Sequence, residues 1–334
     1  MVSQHVILDL VEQVGGLARL DTVTVPLGAG DPAQLEAMVE DWCARTGNDL
    51  VEIRGAAATV RRGRAPDPLT DLPPDLMPGT RLWMYTNFDC NLACDYCCAR
   101  SSPQTARRAL GVDRVRRLAG EASDAGVSEL ILTGGEPFLL PDIDEVVAAC
   151  TAMLPTTLLT NGMLFRGRRL EALRRMDRSR LALQISLDSG TPDLHDVHRG
   201  RGSWERAVAG IRIARDEGFR VRVAATLPYE LTHELEPFHD FLDSLGIARE
   251  DQVIRALAHR GVADHGVELT LESLIPEVTV TAEGVYWHPV SADHEDQFVT
   301  PQIFPLRAAI DEVRRRFTEQ RAHATAAAQW FPCA

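Results

Sequence analysis

Cys90, Cys94 and Cys97 stand at CxxxCxxC spacing, with Tyr96 just before the last of them. Thiolates this close together are metal ligands, and two kinds of centre suit them. A cube-type iron–sulfur cluster normally takes four cysteines, so three leave one iron open to the amino and carboxylate groups of a small molecule. A structural zinc would instead need a fourth Cys or His at short spacing. Cys98 directly follows Cys97 and is expected to point elsewhere, and Cys150 lies alone in an apolar helical run, so zinc fits less well.

Further polar residues follow downstream. In Thr133-Gly-Gly-Glu-Pro137, Gly134 and Gly135 let backbone come close to a ligand and expose carbonyls that, with Glu136, can accept hydrogen bonds from an ammonium. Asn161, in Thr160-Asn-Gly162, is either a turn residue or a ligand contact. In Gln184-Ile-Ser-Leu-Asp-Ser189 a strand period puts Gln184, Ser186 and Asp188 on one face. Asp188 then either faces a substrate or caps the next loop, while His195 and His198 read as loop surface. Thr226 closes a later strand. Arg255, inside the apolar run Val253-Ile-Arg-Ala-Leu257, either reaches the active centre or pairs with a structural acid. His288 belongs to a lid over the substrate or to a cover on the open side. Cys333, next to terminal aromatics, either docks over the mouth as hydrogen-atom donor or metal ligand, or has no role.

These residues need elements to hold them. Strand-like Leu82–Phe88 delivers the cysteines, and the chain then alternates: helix 112–126, strand 128–133, helix 143–154, strand 156–160, helix 168–175, strand 181–187, helix 203–218, strand 220–226, helix 234–246, strand 252–257. Six β/α repeats predict an α/β fold, a partial (β/α)6 TIM-like barrel with parallel strands inside and helices outside. In such sheets ligands bind at the carboxyl ends of strands, where the polar residues fall. Residues 263–334 are expected to cover the barrel, with a β-hairpin around Ala282-Glu-Gly284 and a helix. Residues 1–63 read as a small α+β domain, 64–80 as a Pro-rich linker and 81–262 as the core. In the first domain a strand at 21–27, a helix from Asp31 stopped by Gly47, and strands near 49–53 and 56–61 are predicted, with Cys43 as a buried apolar residue.

The cysteine run with Tyr96, the Gly-Gly-Glu-Pro turn and the fourth strand together resemble the radical S-adenosylmethionine (SAM) superfamily over residues 80–260. That resemblance implies a [4Fe-4S] cluster on Cys90, Cys94 and Cys97, whose open iron chelates SAM, and a flavodoxin- or ferredoxin-like donor whose electron cleaves SAM to a 5′-deoxyadenosyl radical. By the same resemblance Gly134, Gly135 and Glu136 hold the methionine amino group, Ser186 touches the ribose or methionine end, and Arg199 pairs with the SAM carboxylate. Arg suits that role because its fork engages a carboxylate at two points. The stretch Val39-Glu-Asp-Trp-Cys-Ala-Arg-Thr-Gly-Asn-Asp-Leu-Val51 is similar to the second half of TusA-like sulfur carriers. That family's Cys-Pro-x-Pro is missing from 8–20, so an accessory or docking role is expected.

Composition narrows the function. Acidic residues outnumber basic ones 48 to 35 for a net charge of −13, with no basic stripe, so nucleic acid is not an expected partner. No apolar run nears the roughly 20 residues of a bilayer span, and seven cysteines, three in one motif, suggest a reducing, cytoplasmic setting. Every basic residue is Arg, which excludes a Schiff-base or lysine-base mechanism. The GTP-cyclising branch of the superfamily carries a second cluster and a Gly-Gly tail, and the peptide-modifying branch usually carries extra C-terminal cysteines. Here only Cys333 is available. The expected reaction is hydrogen abstraction from a small polar metabolite in specialised biosynthesis. Peptide modification, aminocarboxypropyl transfer, and a non-catalytic iron–sulfur scaffold or electron-transfer module are the alternatives.

Overall fold

A computed structural model describes residues 2–330 except 16, 18, 19, 29, 64–71, 228–233 and 272. The chain divides into two compact units, one of residues 1–73 with 315–334 and one of 74–314.

The first unit contains helices α1 (Val2–Gly15) and α2 (Pro32–Thr46) and strands β1 (Thr22–Pro26), β2 (Asp49–Arg54) and β3 (Ala57–Arg61). Local signals account for α2. The Asp31 carboxylate accepts from the Ala33 N–H at 3.2 Å, Pro32 opens the first turn, and Gly47 closes the last with φ 68°. The antiparallel sheet runs β1-β3-β2. Val25 of β1 and Val60 of β3 make one buried core with Val39 and Trp42 of α2 and with Val6, Leu10 and Val14 of α1. Cys43 is part of that core, and burial followed by the Asp49 charge pushes its thiol up to about 11, which suits packing rather than nucleophilic chemistry.

The second unit is built on strands β4 (Arg81–Tyr85), β5 (Glu129–Thr133), β6 (Thr156–Thr160), β7 (Leu181–Ser186), β8 (Arg220–Leu227) and β9 (Gln252–Ala256). All pair in parallel in that order. Helices α3 (Val112–Asp124), α4 (Ile143–Thr151), α5 (Arg168–Arg175), α7 (Ser203–Asp216) and α8 (Leu235–Ser244) connect them, as alternation predicts. Period 2 sorts the side chains: Leu82 and Met84 of β4 are fully buried, while Trp83 and Tyr85 line a cavity on the other face.

In the second unit two features depart from the reading of the sequence, as α1 does in the first. Residues 192–199 form a further helix, α6 (Pro192–Arg199), where a loop is predicted. Its signals are short-range: Pro192 in the first turn, Asp193 after it, His198 and Arg199 at the carboxyl end, and Gly200 beyond with φ 97°. The hairpin of β10 (Thr279–Val280) and β11 (Val285–Tyr286) does form, but it extends the sheet: β10 pairs in parallel with β4, and β12 (Phe298–Thr300) adds to β11. The sheet order is β12-β11-β10-β4-β5-β6-β7-β8-β9, so β12 and β9 are edges and the barrel is partial. Helix α9 (Leu306–Trp330) ends the described chain. Among the described residues, no helix is long and apolar enough to cross a membrane.

Candidate active site

A cavity of about 240 Å³ opens at the carboxyl ends of β4–β9 and is lined by Cys90, Cys94 and Cys97. The loop carrying them leaves β4 and is fixed largely by main chain. Cys90 N–H donates to the Ser102 carbonyl at 3.2 Å, and Val262 N–H, from the segment after β9, donates to the Cys97 carbonyl at 3.1 Å. Gly261 lies so close that a Cβ there would stand 2.1 Å from the Cys97 oxygen. Two sulfurs accept N–H groups, Cys90 from Leu92 at 3.4 Å and Cys97 from Ser101 at 3.3 Å, as cluster thiolates do. Burial pushes the Cys90 thiol up to about 12 and Cys94 up to about 11, so binding a metal centre there must release protons. Among the described residues, no three His, Cys, Asp or Glu side chains converge on a single-ion site.

The Gly-Gly turn after β5 meets this loop backbone to backbone. Gly135 N–H donates to the Asn87 carbonyl and Glu136 N–H to the Asp89 carbonyl, both at 3.0 Å. A Cβ on Gly134 would stand 2.5 Å from Asn87 Oδ1, and one on Gly135 2.2 Å from the Asp89 oxygen. Both glycines line the cavity. Glu136 does not: its carboxylate is fully buried and accepts from Phe138 N–H at 3.0 Å, the Thr160 hydroxyl at 2.7 Å and Asn161 N–H at 2.8 Å. Burial pushes Glu136 up from its ordinary value against the pull of those donors. The side chain predicted to meet an ammonium instead ties β5 to β6. Asn161 lines the cavity and is also a turn residue: its Oδ1 accepts from Met163 N–H at 3.0 Å, and its Nδ2 donates to Asn91 Oδ1 at 2.9 Å.

Beyond β7 the site is organised by charge. Asp188, 4% exposed, accepts from Arg199 Nε at 2.6 Å and from its Nη2 at 3.1 Å, from the Tyr96 hydroxyl, and from Thr226 N–H at 3.0 Å. Burial alone would raise its carboxyl, but Arg199 and the other donors outweigh this and hold it below the usual range. Asp188 therefore joins the cysteine loop, α6 and β8, with both its oxygens engaged by donors of the protein. Arg199 still lines the cavity beside Ser186 and Thr226, though two of its nitrogens are engaged by Asp188.

His195, read as loop surface, is 1% exposed, and its Nδ1 accepts from Asp188 N–H at 3.1 Å. Burial pulls it down to about 4, so it is neutral. His198 pairs with Asp95 at 3.0 Å. His288 accepts from Val290 N–H at 3.2 Å and is pulled down to about 4 by burial and then by the Arg255 charge. Pro289 and Val290, not His288, line the cavity. Arg255 does line it. Cys98 also lines it, contrary to the expectation that it points away, and burial pushes its thiol up to about 12. Cys333 lies outside the described residues.

Sequence reasoning missed Tyr85, which lines the cavity, stacks on Phe88 at 5.0 Å and donates to the Pro289 carbonyl at 2.6 Å. The period-2 pattern of β4 carried that signal. It also missed Asn87, whose amide donates to the Asp89 and Glu136 carbonyls at 2.9 and 3.1 Å.

Cysteine loop, glycine turn and parallel partial barrel define an iron–sulfur enzyme fold, and comparison with known proteins gives its family. Residues 84–245 match the model of the radical SAM superfamily, and the chain belongs to that superfamily. It is 32% identical over 179 residues to the antilisterial bacteriocin subtilosin biosynthesis protein AlbA of Bacillus subtilis, covering 53% of this chain and 38% of that protein. It is also 32% identical over 159 residues to the AdoMet-dependent heme synthase of Methanosarcina barkeri, covering 47% and 45%. These matches span less than half the length of either relative. The crystal structure of Streptococcus suis SuiB bound to S-adenosylmethionine shares the fold, with TM-score 0.50 and 22% identity over 59% of this chain and 45% of that one. Radical SAM enzymes work with a [4Fe-4S] cluster and SAM, and the thiols, glycine carbonyls and polar rim of the cavity fit both.

Proposed function

We propose that this protein cleaves SAM reductively and uses the resulting radical to abstract hydrogen from a small polar metabolite. One observation carries the reading: Cys90, Cys94 and Cys97 share a single cavity with Gly134, Gly135, Ser186 and Arg199. When bound, the [4Fe-4S] cluster supplies the electron that splits the sulfonium of SAM to a 5′-deoxyadenosyl radical. The chain's own part is positional. Cys90, Cys94 and Cys97 hold the cluster; the Gly134 and Gly135 carbonyls accept from the methionine ammonium; Arg199, braced by Asp188, meets the carboxylate; Ser186, Asn161 and Thr226 contact the rest of SAM. Trp83, Tyr85 and Leu257 wall the cavity and exclude water while a radical exists. A flavodoxin- or ferredoxin-like donor in the cytoplasm delivers the electron.

A second reading, action on a peptide, draws support from a relative whose name places it in bacteriocin biosynthesis and from a wider cavity of about 640 Å³ outside Cys94 and Tyr96, lined also by Arg100, His198 and His265. Anaerobic reconstitution, reduction and addition of SAM test the common core. 5′-Deoxyadenosine is expected, and Cys94→Ala should abolish it; absence of that nucleoside from the wild-type reaction would leave a scaffold or electron-transfer module. Stimulation by metabolites rather than by peptides encoded nearby separates the two substrates.

A further inference from the structure

The cavity wall contains two cations, Arg199 and Arg255, and no carboxylate. Their situations differ. Arg199 is answered by Asp188 at 2.6 Å, four-per-cent exposed and hydrogen-bonded on both oxygens. Arg255 makes no hydrogen bond or ion pair with any described residue, although the chain is rich in acids and most of its described arginines near acids are paired. It projects from β9 opposite Thr226 in the strand register, with Ala256, Leu257 and Ala258 following it along the wall.

Arg255 is exposed at the mouth of the cavity, on the edge strand β9, where its guanidinium has no partner among the described residues and is free to meet an oxyanion brought by a ligand. SAM has one carboxylate, and Arg199 is placed for it beside Ser186. The Gly-Gly turn that receives the ammonium follows β5, four strands away from β9. We propose that Arg255 is the anchor for a carboxylate or phosphate on the substrate, and that the substrate class is therefore anionic. This rests on the radical SAM reading above and adds to it a residue that selects the substrate.

The test uses the reconstituted holoenzyme loaded with SAM under anaerobic conditions. Inorganic phosphate and succinate are titrated by calorimetry into wild type and Arg255→Gln. Wild type is expected to bind at least one of them, and loss of a charge-assisted contact should weaken that binding about 10-fold or more in the variant. SAM affinity and the EPR spectrum and potential of the cluster should be unchanged. Paired substrates then separate the sources of the oxyanion: nucleosides against their 5′-phosphates, and amino acids or short peptides with Glu against the same with Gln. The anionic member of one pair should stimulate 5′-deoxyadenosine formation in wild type and lose that advantage in Arg255→Gln. Failure of both anions to bind, or equal binding by the variant, overturns the proposal. So does a fall of about 10-fold in SAM affinity, which would assign Arg255 to SAM, or a shifted cluster potential without added anion, which would assign it to the cluster. Formation of 5′-deoxyadenosine with SAM alone reports separately on the underlying activity, and the calorimetric arm decides the anion site even without turnover.

Discussion

The two halves of the cavity rim are built from different materials. Between β4 and β5 the rim is main chain against main chain: Gly135 and Glu136 donate N–H groups to the Asn87 and Asp89 carbonyls, and a methyl group at Gly135 would stand 2.2 Å from the second of them. From β7 to β9 it is side chains: the buried Asp188–Arg199 pair, the Tyr96 hydroxyl, and the open Arg255. Backbone contacts of the first kind tolerate almost no change of residue. Side-chain contacts of the second kind can be exchanged one at a time. The first half sets the cysteine loop against the glycine turn, while the second combines a buried pair, Asp188–Arg199, with an open charge, Arg255, that could be exchanged without disturbing that pair.

Substitutions on the two rims sharpen this contrast. The largest effect is expected from Asp188→Ala, which leaves Arg199 buried without its anion at about 3–5 kcal/mol. Denaturant unfolding should show that loss, and SAM affinity should fall with it; a variant as stable as wild type would mean that the pair is not the brace of the second rim. On the first rim, Gly135→Ala forces apart two backbones and should cost about 1–3 kcal/mol. Iron content after reconstitution should fall further than stability does, because the displaced segment leads straight into Cys90. Full cluster loading in this variant would break the comparison.

The smallest effect depends on pH. His195 is held at about 4 in the folded chain, below the ordinary value of 6.5. The unfolded chain binds more protons between these values, so the contribution to stability is complete above about pH 6.5 and is lost as pH falls toward 4. At about pH 5.5 the loss from this residue should be about 1 kcal/mol. His195→Gln, whose amide can still accept from Asp188 N–H, should flatten the slope measured by thermal unfolding between pH 5 and 7. An unaltered slope would place the acid sensitivity elsewhere, with His288 the next group to examine.

Much of this was legible in the sequence, for identifiable reasons. The thiols are close in sequence, so their spacing alone marks a metal centre, and strand–helix alternation is a periodic signal that predicts β4 to β9 and the helices after them. Partnerships between distant residues were not legible. Nothing in Gln184-Ile-Ser-Leu-Asp-Ser189 says that Asp188 turns to Arg199 and Tyr96 rather than to a ligand, since that depends on where α6 sits. Helix α6 itself has eight residues, too few for periodicity to register, and only its Pro192 and Gly200 mark it. Glu136 carried a motif whose side chain points into the protein. Cys98 was misplaced because adjacency to Cys97 suggests opposite directions, a rule that holds on strands and fails on a turning loop. The parallel pairing of β10 with β4 joins segments nearly two hundred residues apart and rests on two-residue strands.

The clamp that the segment after β9 places on the cysteine loop has a bearing on biosynthesis. Gly261 and Val262 press on Cys97 and Cys98 but are translated about 160 residues after them. At ribosomal speeds of about 5–20 residues per second, the thiols leave the ribosome roughly 8–30 s before their clasp exists. During that interval the loop is open to stray metals and oxidants, so faithful maturation favours loading iron only after residue 262 has emerged and closed the loop.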